Sequence, residues 1–241
     1  GKEMRLRCQF EVERLPVAYR MMFVSLIKES IKRSAPTLYE SLYFFNGKPS
    51  KNSKHFSTAL FLPKYKLIDD EFHIEGKISF LISTPDYEFF LHLYNGLQQI
   101  QEFTYQTYTL HRGKITLLEE KQIDQIPVYF KTLSPIYIRD AHNRSIAPED
   151  PTFERELNYI ANLLLKNFRG HGLKQPLQVL ENQLKKTVVK EKIREFDHGY
   201  LYFTAYKGNF CLNGDIDDLR LLSQLGIGFR RNQSFGMVEV I

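Results

Sequence analysis

Cysteine is scarce in this chain, and the scarcity closes off two architectures. Its 241 residues include only Cys8 and Cys211, too few for a disulfide framework or a zinc knuckle. Both fall in alternating apolar segments, where a buried free thiol is the expected state. No apolar run approaches the ~20 residues that span a bilayer, and the N-terminus has no signal-peptide hydrophobic region, so the expected location is the cytoplasm. The seven histidines are scattered, with no His-x-x-x-His or Cys-x-x-Cys pair. No metal site and no cofactor are expected. The aromatic RNP motif of RNA-recognition modules is missing too, which argues against reading single strands by stacking on an open sheet.

What is present is an ordinary folded composition with a basic bias. Hydrophobic residues make up 43% and charged residues 25% of the chain, as in folded soluble proteins. Lys and Arg total 33 against 28 Asp and Glu, a net charge of +5. That balance suits a polyanionic partner without requiring one.

The periodicity gives an order of elements. Leu6, Cys8, Phe10 and Val12 alternate with polar residues, the pattern of a half-buried strand. From Tyr19 the apolar spacing changes to three and four, through Met22, Phe23, Leu26, Ile27 and Ile31, which predicts a helix ended by Pro36. A short helical turn, Pro36 to Phe44, leads into a polar loop, Asn46 to Lys54. Strands are expected over His55 to Leu62 and Phe72 to Thr84, with a basic turn at Lys64 and Lys66 between them. A helix from Pro85 to Ile100 follows, then an extended segment from Phe103 to Leu118 broken at Gly113. After a boundary near Asp124 the order repeats. Val128 to Arg139 is a strand, Thr152 to Phe168 a helix, Leu184 to Phe196 and Gly199 to Leu212 two extended arms, Asp215 to Leu225 a helix, and Met237 to Ile241 a strand. The fold class is therefore α+β, two tandem ferredoxin-like βαββαβ domains over residues 1–124 and 125–241.

The C-terminus, Gln224-Leu-Gly-Ile-Gly-Phe-Arg-Arg-Asn-Gln-Ser-Phe-Gly-Met, sets Gly226, Gly228 and Gly236 around Arg230 and Arg231. Glycines so spaced allow a tight loop whose amides approach a ligand, and the arginine forks suit phosphate. Gly226 is equally a helix C-cap. The order helix, loop, strand runs against a Rossmann or P-loop site, which sets its glycines between a strand and a helix. A long polyanion lying across the loop fits better.

This motif resembles the C-terminal glycine-rich loop of the CRISPR-associated endoribonucleases that cut precursor CRISPR RNA within its repeats, in the repeat-associated mysterious protein (RAMP) superfamily. The resemblance continues through Tyr206-Lys-Gly-Asn-Phe-Cys-Leu-Asn-Gly-Asp215, the Ser134-Pro135 strand and the helix Phe153 to Phe168. It implies repeat RNA as the partner, a metal-independent cleavage by the ribose 2′-hydroxyl, and 2′,3′-cyclic phosphate and 5′-hydroxyl ends. Effector-complex subunits or a second copy are further partners within its scope. The family's tyrosine, histidine and lysine positions carry over to Lys28, Tyr43 and Lys54, so two of the three differ in residue type. His55, next to Lys54, is a candidate replacement for the histidine, and Tyr39 stands beside Tyr43 as an alternative.

Such cleavage needs a base for the 2′-hydroxyl, an acid for the departing 5′-oxygen and cations for the phosphorane. RNA contacts are expected from Lys48 and Lys51 in the polar loop, and from Lys186, Lys190, Lys192 and Arg194, which share one strand face. Gly226, Gly228, Arg230, Arg231 and Gly236 complete the set, with a weaker basic spot at Arg139, His142 and Arg144. A solvated lysine loop and a lysine-protected strand edge are the plain alternatives. A non-catalytic RNA binder of the same superfamily is the rival function. A regulatory small-molecule domain of the same architecture is a further one.

Overall fold

A computed structural model of the chain describes residues 4–50, 53–192 and 199–241. Lys51 and Arg194 lie outside the described residues.

The first half begins with β1 (Met4–Glu11) and a short β2 (Arg14–Pro16). Helices α1 (Arg20–Ser34) and α2 (Pro36–Tyr43) follow, then two-residue strands β3 (Phe44–Phe45) and β4 (Lys48–Pro49). Next come β5 (Ser57–Phe61), β6 (Tyr65–Ile68), β7 (Glu71–Ile74), β8 (Lys77–Ser83), α3 (Tyr87–Gln99), β9 (Glu102–Tyr105) and β10 (Tyr108–Glu119). The main sheet runs β5-β8-β1-β10-β9, antiparallel throughout. The inward residues of β1 meet the apolar stripe of α1 and α3 in a core that includes Leu6, Phe10, Phe23, Leu26, Phe80 and Leu93. Asp86 caps α3 by accepting from the Phe89 amide, which satisfies one donor that the first turn leaves unpaired.

The second half contains β11 (Val128–Thr132), α4 (Phe153–Arg169), β12 (Gln178–Glu191), β13 (Leu201–Asn213), α5 (Ile216–Leu225) and β14 (Val238–Val240). Its sheet runs β12-β13-β11-β14. In each half the first strand lies between the third and fourth, so both have the ferredoxin-like βαββαβ arrangement, and β9 extends the first sheet by one strand. Among the described residues no helix is long and apolar enough to cross a membrane.

Several expected strand limits change. The single strand Phe72 to Thr84 is two, because the chain turns at Gly76 with φ +82. One piece, β7, joins β2 and β6 in a separate three-stranded sheet. Lys66, read as part of a turn, lies within β6. The extended segment does not break at Gly113, which sits inside β10 where the pairing with β1 slips between Cys8 and Phe10. Its turn falls instead at Gln106, φ 54, between β9 and β10. The strand from Val128 stops at Thr132, and Ile136 makes only an isolated bridge to Tyr206. Asn46 and Gly47, both at positive φ, turn the β3–β4 hairpin inside the supposed polar loop, as Asn-Gly favours.

Side chains from each half reach into the other. Buried Arg5 of β1 pairs with Glu120 and donates to the Val238 carbonyl of β14. Arg220 donates to the Ile123 carbonyl at 2.8 Å, and Ser134 Oγ donates to the Thr58 carbonyl at 2.8 Å.

Candidate active site

Lys28 flanks the buried stripe of α1 nearly two turns before its C-terminal end at Ser34. Ala35 and Pro36 then redirect the chain, with proline at a position where its missing amide costs nothing, and α2 brings Tyr43 back beside α1. Tyr43 is buried at 7% exposure, and its ring receives two ammonium groups. Lys28 Nζ and Lys54 Nζ each lie 5.1 Å from the ring centroid, within cation–π range.

Burial decides the electrostatics of this trio. Desolvation lowers the Lys28 pKa from its ordinary value. Desolvation, followed by the charge of Lys28, brings Lys54 down to about 8. Burial, and secondarily Tyr39, pushes the Tyr43 hydroxyl up, so it stays protonated at neutral pH. Tyr39 lies tilted against Tyr43, ring centroids 5.5 Å apart, and carries Lys32 over its face at 5.8 Å.

His55 turns the other way. Its ring meets Phe168 of α4 edge-on at 5.1 Å. Burial is the main cause of its lowered pKa, with further lowering from Arg231 and Lys54 opposed by Asp86. Lys48 is exposed on β4.

A cleft of about 430 Å³ connects Lys54 to the glycine-rich loop, lined also by Ser50, Ser53, Arg139, Phe229, Arg230 and Gln233. Arg139 lies 4.6 Å over Phe229, and Arg230 lies 4.6 Å over Phe203 while donating to Gln233 Oε1 at 2.9 Å. Arg231, adjacent in sequence, faces inward. It is 6% exposed and donates to the carbonyls of Leu225 at 2.6 Å, Lys54 at 2.8 Å and Phe56 at 3.3 Å. Both arginines line the cleft, but the donors of Arg231 are engaged by backbone carbonyls.

The glycines also differ from the open cradle expected. The Gly226 amide donates to Leu222 and the Gly236 amide to Pro135, both at 2.8 Å, so neither is presented to a ligand. All three have positive φ, and added Cβ atoms would meet Ser57 beside Gly226, the Tyr137 carbonyl beside Gly228 and the Ile227 carbonyl beside Gly236. Their placement is one of close packing.

On the basic arm, Lys186 is exposed and Lys192 half-buried. Lys190 is held by Asp70 of the β6–β7 turn at 2.9 Å and lies 4.1 Å over Tyr200. In the weaker basic spot, Arg144 pairs with Asp140 at 3.0 Å. Asp70, Phe229 and Tyr200 were not marked by sequence reasoning, since no local pattern ties them to a lysine or arginine elsewhere in the chain. Among the described residues no three His, Cys, Asp or Glu side chains converge in a metal-binding cluster.

Residues 118–240 match the family model of the C-terminal part of CRISPR associated protein Cas6. Three solved structures share the fold over nearly the whole chain at 20% identity. One is described as a RAMP protein binding different RNA substrates, with TM-score 0.81 and 99% of both chains covered. A second comes from a Cas6-related gene of Pyrococcus furiosus, with TM-score 0.76, covering 99% of this chain and 98% of the other. A third is a CRISPR associated protein Cas6, with TM-score 0.71 and 100% of both chains covered. No curated protein sequence matches the chain.

Proposed function

This chain belongs to the Cas6 family of CRISPR-associated proteins, and on that premise we propose that it binds CRISPR repeat RNA and cuts precursor CRISPR RNA without a metal. The observation that carries the catalytic part is the pairing of Lys28 and Lys54 on the Tyr43 ring. Two neighbouring amines, both with proton affinity lowered by burial, can divide the work of an acid and a base.

Lys54 takes the base role. With a pKa of about 8, roughly one molecule in ten carries the neutral amine at pH 7. That amine accepts the proton of the 2′-hydroxyl as the 2′-oxygen bonds to phosphorus. Lys28, still an ammonium, balances charge on the phosphorane and gives a proton to the 5′-oxygen as its bond to phosphorus breaks. The products are a 2′,3′-cyclic phosphate and a 5′-hydroxyl. Tyr43 holds the two side-chain nitrogens on one ring. The strand entering the centre would cross the cleft beside Arg230 and Arg139, with the lysines of β12 holding flanking phosphates.

The test is cleavage of the host's repeat RNA in EDTA, beside the same RNA with a 2′-deoxy residue upstream of the cut. Cutting of the first alone is expected. Tight binding with no cutting of either RNA overturns the catalytic reading and leaves an RNA-binding protein.

A further inference from the structure

Lys54 sits in a part of the chain that the sheet does not hold. Strand β5 starts at Ser57, so the carbonyls of Lys54, His55 and Phe56 precede its ladder. Side chains take over there. Thr84 Oγ1 donates to the His55 carbonyl at 2.6 Å. Arg231 donates to Lys54 at 2.8 Å and Phe56 at 3.3 Å. The same guanidinium reaches the Leu225 carbonyl at the end of α5. One buried side chain thus ties the last turn of a helix in the second domain to the two residues flanking His55 in the first. A planar fork with several fixed donors suits this task, and a flexible lysine with one nitrogen cannot reach three separated carbonyls at once.

The glycine-rich loop is built to bring that fork inward. Arg230 takes a left-handed conformation, φ 58 and ψ 34, immediately before the short helical turn that begins with Arg231. Consecutive arginines consequently take different partners, Arg230 the Phe203 ring and Gln233, Arg231 three backbone carbonyls. A second joint reinforces the first. Ser234 N donates to Thr58 Oγ1 at 2.9 Å, and the two hydroxyls lie 3.1 Å apart.

We infer that Arg231 is a positioning residue, which holds the Lys54 backbone so that its amine stays desolvated on the Tyr43 ring that Lys28 also contacts. This rests on the reading of Lys54 as the proton-accepting amine, and it gives the glycine-rich loop a task besides RNA contact. The loop sets the proton affinity of a group in the other domain. Losing the tie lets Lys54 move toward water and regain an ordinary lysine pKa.

Arg231→Lys keeps the charge and removes the three-point tie. For a positioning role, RNA affinity and its salt dependence stay as in the native protein, while kcat at saturating RNA falls ~10- to 100-fold. The inflection of the pH–rate profile moves up from about 8. Thr58→Val loosens the second joint without touching any cation, and the inflection is expected to move the same way by a smaller amount. Arg231→Lys is overturning if it weakens RNA binding and flattens the salt slope by about one phosphate contact while kcat holds, since Arg231 would then be a phosphate donor. Should Arg231→Lys fail to fold, an unchanged inflection in Thr58→Val overturns the inference. If the native protein cuts no RNA, the catalytic reading falls separately, and NMR titration of the Lys54 ammonium in native and variant proteins replaces the rate profile. A Lys54 pKa unmoved in both variants then overturns the positioning role.

Discussion

Lys54 is a long amine packed where its charge is poorly solvated, with a second amine facing the same ring. A pKa lowered to about 8 by burial and by Lys28 has a definite sign for catalysis. The neutral, proton-accepting form is scarce below pH 7 and abundant above pH 8. The rate at saturating RNA should therefore rise through about pH 8 and fall again where Lys28 loses its proton. Lys54→Arg keeps a cation over Tyr43 but cannot titrate in this range. It is expected to cut ~10²- to 10⁴-fold more slowly and to lose the rising limb. Lys54→His should recover part of the rate with its inflection displaced to lower pH. A full rate in Lys54→Arg would move the base elsewhere. His55 gives the control, because its ring packs on Phe168 instead of Tyr43. His55→Phe is expected to change the rate by far less than the ~10²-fold that a proton-transfer group contributes.

Among the elements, α1 begins with an unusual cap. Tyr19 offers no side-chain hydrogen bond at its N-terminus, and the carboxylate of Glu191 of β12 lies beside that first turn. Glu191 is 1% exposed and faces the Arg20 guanidinium at 3.9 Å. Desolvation outweighs these partners and raises its pKa from 4.5 to about 7. The folded state thus holds a proton that the unfolded chain releases between those values. The contribution of Glu191 to stability is accordingly full below about pH 4.5 and is lost as pH rises through 7. Glu191→Gln keeps the size of the side chain and removes the titration. Denaturant melts of this variant should show a flatter pH dependence, with a relative gain at pH 8 of up to ~3 kcal/mol. A loss at pH 8 would mean that the charge itself holds α1.

The glycine-rich loop gives a second prediction at this scale. An alanine at Gly236 would force its Cβ into the Ile227 carbonyl and hold φ at +76, whereas Gly76, at φ +82, has open space around it. Gly236→Ala should cost ~3 kcal/mol or more, and Gly76→Ala only the ~1 to 2 kcal/mol of a left-handed residue. Thermal unfolding would separate the two by several degrees.

How much of this could be read from the sequence follows from the range of each signal. The helices and the order of the two βαββαβ halves show in local periodicity, so Met22 to Ile31 marks α1 and Pro85 announces α3. Gly76 is a turn that periodicity does not reveal, because Phe72 to Ser83 remains apolar enough for one strand. Lys28, Tyr43 and Lys54 came from a resemblance, and their meeting on one ring depends on the α1–α2 turn. The different partners of Arg230 and Arg231 depend on a single left-handed residue. Glu191 and Asp70 owe their partners to the packing of one half on the other.

Across the whole molecule, the two halves are tied at several points. Arg5 joins β1 to β14, Arg231 joins the glycine-rich loop to Lys54, Glu191 of β12 faces Arg20 of α1, and Asp70 holds Lys190. The last tie competes with RNA. Lys190 and Lys186 lie on one face of the arm, yet only Lys190 is engaged by a carboxylate at 2.9 Å and a tyrosine ring at 4.1 Å. A lysine already neutralised by Asp70 releases fewer counterions when phosphate arrives, so its share of the salt-dependent affinity is reduced. Lys186→Ala should therefore weaken repeat-RNA binding more than Lys190→Ala does. Asp70→Asn frees Lys190 and is expected to tighten binding about twofold to fivefold at low salt, with a steeper salt slope. Stability should hardly move, since exposed ion pairs contribute little. If Asp70→Asn leaves both affinity and slope unchanged, Lys190 serves the contact between domains and the RNA path lies elsewhere on the arm.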